Sequence, residues 1–142
     1  MTKPRVLISD KMDPNAARIF EERGCDVDVI TGQTPEELLT IIGQYDGLAI
    51  RSATKATEKL IAAATRLKVI GRAGIGVDNV DIPAASRRGI IVMNTPGGNT
   101  ISTAEHTFGL MLSLARHIPQ AHASLGNGKW DRKSFTGLEL RG

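Results

Sequence analysis

An α/β fold built on a five-stranded, all-parallel sheet is the architecture this sequence predicts. Two observations predict it. Short apolar runs rich in Val and Ile recur along the chain, and each is followed by a stretch that opens on helix-capping residues. Strands buried on both faces of a parallel sheet read as such runs. Regular alternation of strand and helix joins neighbouring strands in parallel through right-handed crossovers.

The elements can be justified in order. Val6-Leu7-Ile8 is the first strand, and Asp13-Pro14 opens the first helix with an N-cap acceptor ahead of a proline at the first helical position. Gly24 closes that helix. Val27 to Ile30 is the second strand, and Thr34-Pro35-Glu36-Glu37 is a capping box that starts the second helix. Leu48-Ala49-Ile50 is the third strand, with Thr57 capping the helix through Leu60, Ile61 and Ala64. Val69-Ile70 is the fourth, with Asp81 capping the helix that Gly89 ends, and Ile90 to Met93 is the fifth. A doubly wound sheet of flavodoxin-like order is expected, and ligands of such sheets bind outside the carboxyl ends of the strands. That rule directs attention to Asp10, Arg51-Ser52, Arg72 through Asn79, and Asn94 onward.

Thr95-Pro96-Gly97-Gly98-Asn99 is turn-rich and marks the expected boundary between a first domain, 1–97, and a second part, 98–142. A long helix is expected from about Ser102 to Ile118, with Ser102 and Glu105 as its capping box. It is apolar nearly all round, and such a helix is buried against more than one body. Residues 119–142 are broken by glycines and carry no expected core element. Trp130 and Phe135 among Lys129, Asp131, Arg132 and Lys133 suggest either an extended arm that packs on a partner, or an aromatic that folds back on its own domain.

Composition narrows the function classes. The formal net charge is +3, but no block of like charges occurs, so a nucleic-acid-binding tail is poorly supported. Aromatic residues make up 4%, too few for a base-stacking surface. No signal-peptide pattern and no membrane-spanning apolar stretch appear. The single cysteine, Cys25, allows no internal disulfide and suits a reducing cytoplasm. It reads as a small hydrophobe.

Arg51 directly follows the third strand, and Arg72 lies within a residue or two of the fourth strand's end. Two guanidinium groups on adjacent strand ends can converge on one anion, because the planar fork grips a carboxylate or phosphate with paired hydrogen bonds. In Arg72-Ala73-Gly74-Ile75-Gly76-Val77-Asp78-Asn79 the alternating glycines free backbone N–H groups to face an anion. The stretch is not the dinucleotide fingerprint, since Asn79 stands where a third small residue is required. Asp10 and Asp13 superficially match the acidic pocket of a phospho-receiver domain. Arg51 occupies the place of that domain's required third-strand aspartate, so the two acids read as a turn residue and a helix cap. His106, His117 and His122 lack metal-site spacing, and no metal is expected.

Arg51-Ser52-Ala53-Thr54-Lys55, Gly71 through Asp81, Val92 through Pro96, Ala104-Glu105 and Lys129 through Arg132 occur in order, and together they resemble the D-isomer-specific 2-hydroxyacid dehydrogenases, in their phosphoglycerate branch. The resemblance covers essentially the whole chain. It implies an NAD-dependent oxidoreductase that converts 3-phosphoglycerate to 3-phosphohydroxypyruvate and opens serine synthesis in the cytoplasm. It implies that Arg51, Ser52, Arg72, Gly74, Ile75, Gly76 and Arg132 bind the substrate, and that Ile75 and Gly76 border the nicotinamide of NAD. Relatives often carry threonine at the position of Ile75, so a side-chain hydroxyl contact is lost here. Residues 98–142 would be the first helix and dimer arm of the cofactor domain, making a homodimer or higher oligomer through 99–137, with Arg132 reaching the neighbouring subunit's site. The resemblance places the cofactor fingerprint, the acidic ribose ligand, the catalytic arginine and the Glu–His pair beyond Gly142, so no catalytic residue is expected in this chain and the isolated chain is expected to be inactive. A stand-alone anion-binding or regulatory module is the alternative.

Overall fold

A computed structural model describes residues 2–141. The chain forms two compact units, one ending at Gly98 and the other beginning at Asn99. In the first unit, five strands, β1 (Arg5–Ile8), β2 (Asp26–Val29), β3 (Gly47–Ile50), β4 (Val69–Arg72) and β5 (Ile91–Met93), pair in parallel in the order β2-β1-β3-β4-β5. This is the flavodoxin-like order the alternation predicts.

The crossover rule sets the two faces. Travel from β1 to β2 runs opposite to every later step, so crossovers of one hand put α1 (Asn15–Glu22) on one face and α2 (Pro35–Ile41), α3 (Glu58–Ala63) and α4 (Ile82–Arg87) on the other. The register aligns Leu7, Leu48, Ile70 and Val92 in one row. That row meets Leu38, Leu60, Ile61, Ala84 and Ala85 in a single apolar core. The opposite face is thinner. There Gly47, Ala49 and Gly71 leave an apolar groove of about 360 Å³ beside Met12, Ala16 and Phe20. Burial on both faces, expected of every strand, therefore fails at the edges: Ile91, Met93 and Val29 are exposed. Edge strands lack a neighbour on one side, and α1 alone cannot cover the second face.

The caps follow their chemistry. Thr34 accepts from the Glu37 N–H at 3.2 Å, and the Glu37 carboxylate accepts from the Thr34 N–H at 2.8 Å, completing the capping box. Thr57 and Asp81 cap α3 and α4 through the N–H groups of Leu60 and Ala84. Asp13 accepts from the Asn15 N–H at 2.8 Å, with Pro14 already in helical backbone geometry. After α1 the N–H of Cys25 returns to the Phe20 carbonyl and that of Gly24 to the Glu21 carbonyl, a Schellman motif that needs the positive φ of Gly24.

The second unit departs from expectation in its helices, and it decides between the two readings of Trp130. Helix α5 spans Thr100–Ala115 rather than Ser102–Ile118, and no side chain caps it. Because the helix starts two residues earlier, Ser102 and Glu105 fall inside its first turns and cannot form a capping box. The chain then turns at His117, in the left-handed region with φ 51°, and restarts as α6 (Ile118–Gly126). Pro119 in its first turn suits a helix start, and Gly126 is its last residue, so a stretch expected to hold no core element forms an exposed helix. Finally, Trp130 is 78% exposed and does not fold back. No residue of α5 or α6 is buried.

Candidate functional site

The carboxyl edge of the sheet concentrates unpaired positive charge. At the opposite edge three cations are paired, Arg5 with Asp28 at 2.7 Å, Arg66 with Asp46 at 3.0 Å and Lys68 with Asp46 at 3.6 Å, while Arg23 and Arg88 join no ion pair among the described residues. Among the described residues, Lys11, Arg51, Lys55, Lys59 and Arg72 join no ion pair. All five lie on or just beyond strand ends β1, β3 and β4, or in the first turn of α3.

Parallel pairing brings the two arginines together. Ile50 is in register with Arg72, and the Ala73 N–H donates to the Ile50 carbonyl at 2.8 Å. Arg72 is the last residue of β4 rather than a loop residue. Its Nε donates to the Arg51 carbonyl at 3.3 Å, so the base of one guanidinium is anchored on the backbone of the other residue. The Arg51 guanidinium donates to the Lys11 carbonyl at 3.2 Å. The Arg72 guanidinium lies over Gly74, where a Cβ would approach its Nη1 to 2.5 Å. A side chain at position 74 would therefore displace the Arg72 guanidinium from this place, while the backbone of Gly74 has no positive φ. Gly76 leaves room for the Asp78 carboxylate, whose Oδ1 a Cβ would meet at 2.9 Å.

Backbone donors complete the rim. Among the described residues, the N–H groups of Ser52, Ile75 and Gly76 donate to no protein acceptor. Asn94 Nδ2 donates to the Ile75 carbonyl at 2.8 Å, and the Thr95 N–H donates to the Gly74 carbonyl at 3.0 Å, which fixes the glycine loop from the β5 side. Two cationic forks and three free N–H groups on adjacent loops are groups of the kind that can receive a small anion with more than one acidic group. Arg132 belongs to the second unit, exposed beside a turn in which Asp131 accepts from the Lys133 and Ser134 N–H groups. The rim of the first unit is built without it.

Asp10 is more than a turn residue. Only 5% exposed, it sits in the crevice where the strand order reverses between β1 and β3. Its carboxylate accepts from the N–H groups of Arg51 at 2.7 Å, Ala53 at 3.1 Å and Thr54 at 3.0 Å, and from the Thr54 hydroxyl at 2.5 Å. Burial pushes its pKa up, but the Thr54 hydroxyl and the three backbone donors outweigh burial and hold the carboxyl below its ordinary value. A folded value below the unfolded one stabilises the fold above the ordinary aspartate pKa, and that stabilisation disappears as pH falls through the depressed folded value. Asp10 is therefore expected to remain mostly ionised at pH 3.8, where a free aspartate is half protonated. A carbon-13 carboxyl titration checks this, and a midpoint at or above the ordinary value contradicts it.

The sequence places Asn79 at the ligand-binding edge and as the residue that spoils a dinucleotide fingerprint, without showing what its side chain does. Its Nδ2 donates at 2.7 Å to the carbonyls of both Arg51 and Thr54. A polar residue directly after a buried run, as in Ile8-Ser9-Asp10, was the available signal for Asp10. For the role of Asn79 no sequence signal stood out.

Comparison with known proteins resolves the family. The profile of the D-isomer specific 2-hydroxyacid dehydrogenase catalytic domain matches residues 6–136. The chain belongs to that family. This family member is 51% identical over 138 residues to the D-3-phosphoglycerate dehydrogenase of Archaeoglobus fulgidus, covering 97% of the chain and 26% of that protein. It is 54% identical over 138 residues to the D-3-phosphoglycerate dehydrogenase of Methanocaldococcus jannaschii, with the same coverage. It thus spans about a quarter of the length of these relatives. The crystal structure of cofactor (NAD+)-bound 3-phosphoglycerate dehydrogenase from Entamoeba histolytica superposes with a TM-score of 0.74 at 31% identity, covering 99% of this chain and 44% of that one.

The residues present fit one part of a dinucleotide only. The exposed Ile75 side chain and the free N–H of Gly76 can border a flat ring. A pyrophosphate needs a glycine-rich turn that opens a helix, and the sequence holds no Gly-x-Gly-x-x-Gly. No described helix is long and apolar enough to cross a membrane.

Proposed function

We propose that the first unit captures the substrate of an NAD-dependent 2-hydroxyacid dehydrogenase that converts 3-phosphoglycerate to 3-phosphohydroxypyruvate, a cytoplasmic reaction that opens serine synthesis. The observation that carries this reading is the pair of unpaired arginines on adjacent strand ends, flanked by the free N–H groups of Ser52, Ile75 and Gly76. A phosphorylated hydroxy acid has two anionic ends, and the rim offers two kinds of anion receptor within one sheet edge. Identity above 50% to proteins named D-3-phosphoglycerate dehydrogenase supports the choice of this acid.

Arg51 and Arg72 neutralise and orient the anionic groups, Ser52 adds a backbone donor, and the loop of Gly74, Ile75 and Gly76 meets the carboxylate. The chemistry that bound NAD would supply is acceptance of a hydride, and Ile75 and Gly76 would border its nicotinamide end. The three histidines, His106, His117 and His122, all belong to the second unit, so the first unit holds no imidazole to take the hydroxyl proton. The second unit is the dimer-forming part, with exposed Phe108, Leu110, Leu112 and Leu114 available to a second copy and Arg132 directed to the neighbour's site.

A polypeptide of these 142 residues is expected to bind 3-phosphoglycerate at submillimolar concentration by calorimetry, with binding lost in Arg51→Ala. It is also expected to produce no NADH from 3-phosphoglycerate and NAD. Turnover by a pure sample would contradict the division of labour. Binding that survives Arg51→Ala would contradict the site.

A further inference from the structure

The loop after β3 carries Arg51 and Ser52, yet no regular element holds it. It is held by two side chains from distant parts of the chain, one on each polarity of its backbone. Asp10, from the end of β1, takes the N–H groups of Arg51, Ala53 and Thr54. Asn79, from the loop after β4, gives its two amide protons to the carbonyls of Arg51 and Thr54. The orientation of the Asn79 amide is fixed, because only the nitrogen can donate to two carbonyls. Its Oδ1 is buried without a partner, a cost accepted to satisfy the loop. Thr54 is bound from both sides, and Ser9 supports it through a 2.9 Å hydroxyl contact.

We infer that Asp10 and Asn79 are positioning residues that hold the Arg51–Thr54 loop in its anion-receiving shape before any ligand arrives. This rests on the reading of the rim as the 3-phosphoglycerate site. Asp10 lies at the reversal of strand order, where ligands of such sheets ordinarily sit, and with Ser9, Thr54, Lys55 and Lys59 it lines a cavity of about 410 Å³ there. Preorganisation of this kind acts on affinity, since a loop already ordered loses little freedom on binding.

Isosteric exchanges invert the polarity at each contact without changing volume. Asp10→Asn turns part of the acceptor into a donor facing N–H groups, and Asn79→Asp turns donors into acceptors facing carbonyls. Asp46→Asn is the matched control. Asp46 accepts from the Arg5 N–H at 3.0 Å and pairs with Arg66, but it stands at the opposite edge of the sheet. In the full chain, both exchanges are expected to weaken 3-phosphoglycerate binding at least tenfold by calorimetry. They should also accelerate amide hydrogen exchange at Arg51, Ala53 and Thr54 at least tenfold. Asp46→Asn is expected to lower Tm while leaving both readouts near wild type. Affinity losses in Asp10→Asn and Asn79→Asp no larger than in Asp46→Asn would overturn the inference, as would unchanged exchange at the three amides. If the wild-type chain fails to bind 3-phosphoglycerate, the reading of the rim falls, and amide exchange alone decides the positioning role. Should Asp10→Asn not fold, Thr54→Val removes the hydroxyl link while leaving the carboxylate in place. It is then expected to weaken binding severalfold and speed exchange at Thr54, and wild-type values for both would overturn the inference.

Discussion

Arg72→Ala is expected to weaken 3-phosphoglycerate binding by about 100-fold or more while leaving the fold intact. Hydrogen bonds to a charged group contribute about 1.5–3 kcal/mol each, and about 1.4 kcal/mol corresponds to a tenfold change in affinity. Losing a two-pronged grip therefore removes roughly 3 kcal/mol or more. The loop survives the change because the Arg51 carbonyl, which accepts from Arg72 Nε, also accepts from Asn79 Nδ2 at 2.7 Å. Arg72→Lys keeps the charge but not the fork, and should fall between wild type and alanine. Calorimetry on the three proteins checks the ordering. Equal affinity for all three would show that Arg72 does not touch the ligand.

Ile70→Ala has the largest expected effect on stability, a loss of about 3–4 kcal/mol by chemical denaturation. Ile70 is 0% exposed on β4, between Leu48 and Val92 in the register and against the helices of the core face. The cavity left by truncation has rigid walls on every side. For a unit of this size each kcal/mol moves Tm by about 4–8 °C, so a fall of roughly 15 °C or more is expected. Met93→Ala, by contrast, changes a side chain that is 56% exposed on the thin face, and should cost less than about 1 kcal/mol. Similar losses at both positions would contradict a core that is thicker on the face of Ile70 than around Met93.

Much of the fold was legible because local chemistry and global architecture agree. The apolar runs, the capping box at Thr34 and the caps at Thr57 and Asp81 each specify one element, and alternation specifies the topology. What the sequence could not show depends on partners far away along the chain. The thin face of the sheet is one example, since a Val/Ile run looks the same whether one or both faces are covered. The joint at His117 is another: a left-handed non-glycine residue carries no signature of its own. At the rim, Arg51, Arg72 and the glycine loop are legible because two arginines and alternating glycines follow adjacent strands at the ligand-binding edge of the fold. The places of Asp10 and Asn79 follow from the same rule, but their roles do not, because these lie in hydrogen bonds spanning 25 to 44 positions of sequence.

The most direct test of the account is a nitrogen-15 NMR titration of the chain with 3-phosphoglycerate. Saturable shifts are expected at the amides of Ser52, Ala73, Ile75 and Gly76, with the opposite edge around Asp46, Arg66 and Lys68 unmoved. Shifts confined to that opposite edge, or no saturable shift at millimolar ligand, would contradict a receptor at the carboxyl ends of β3 and β4.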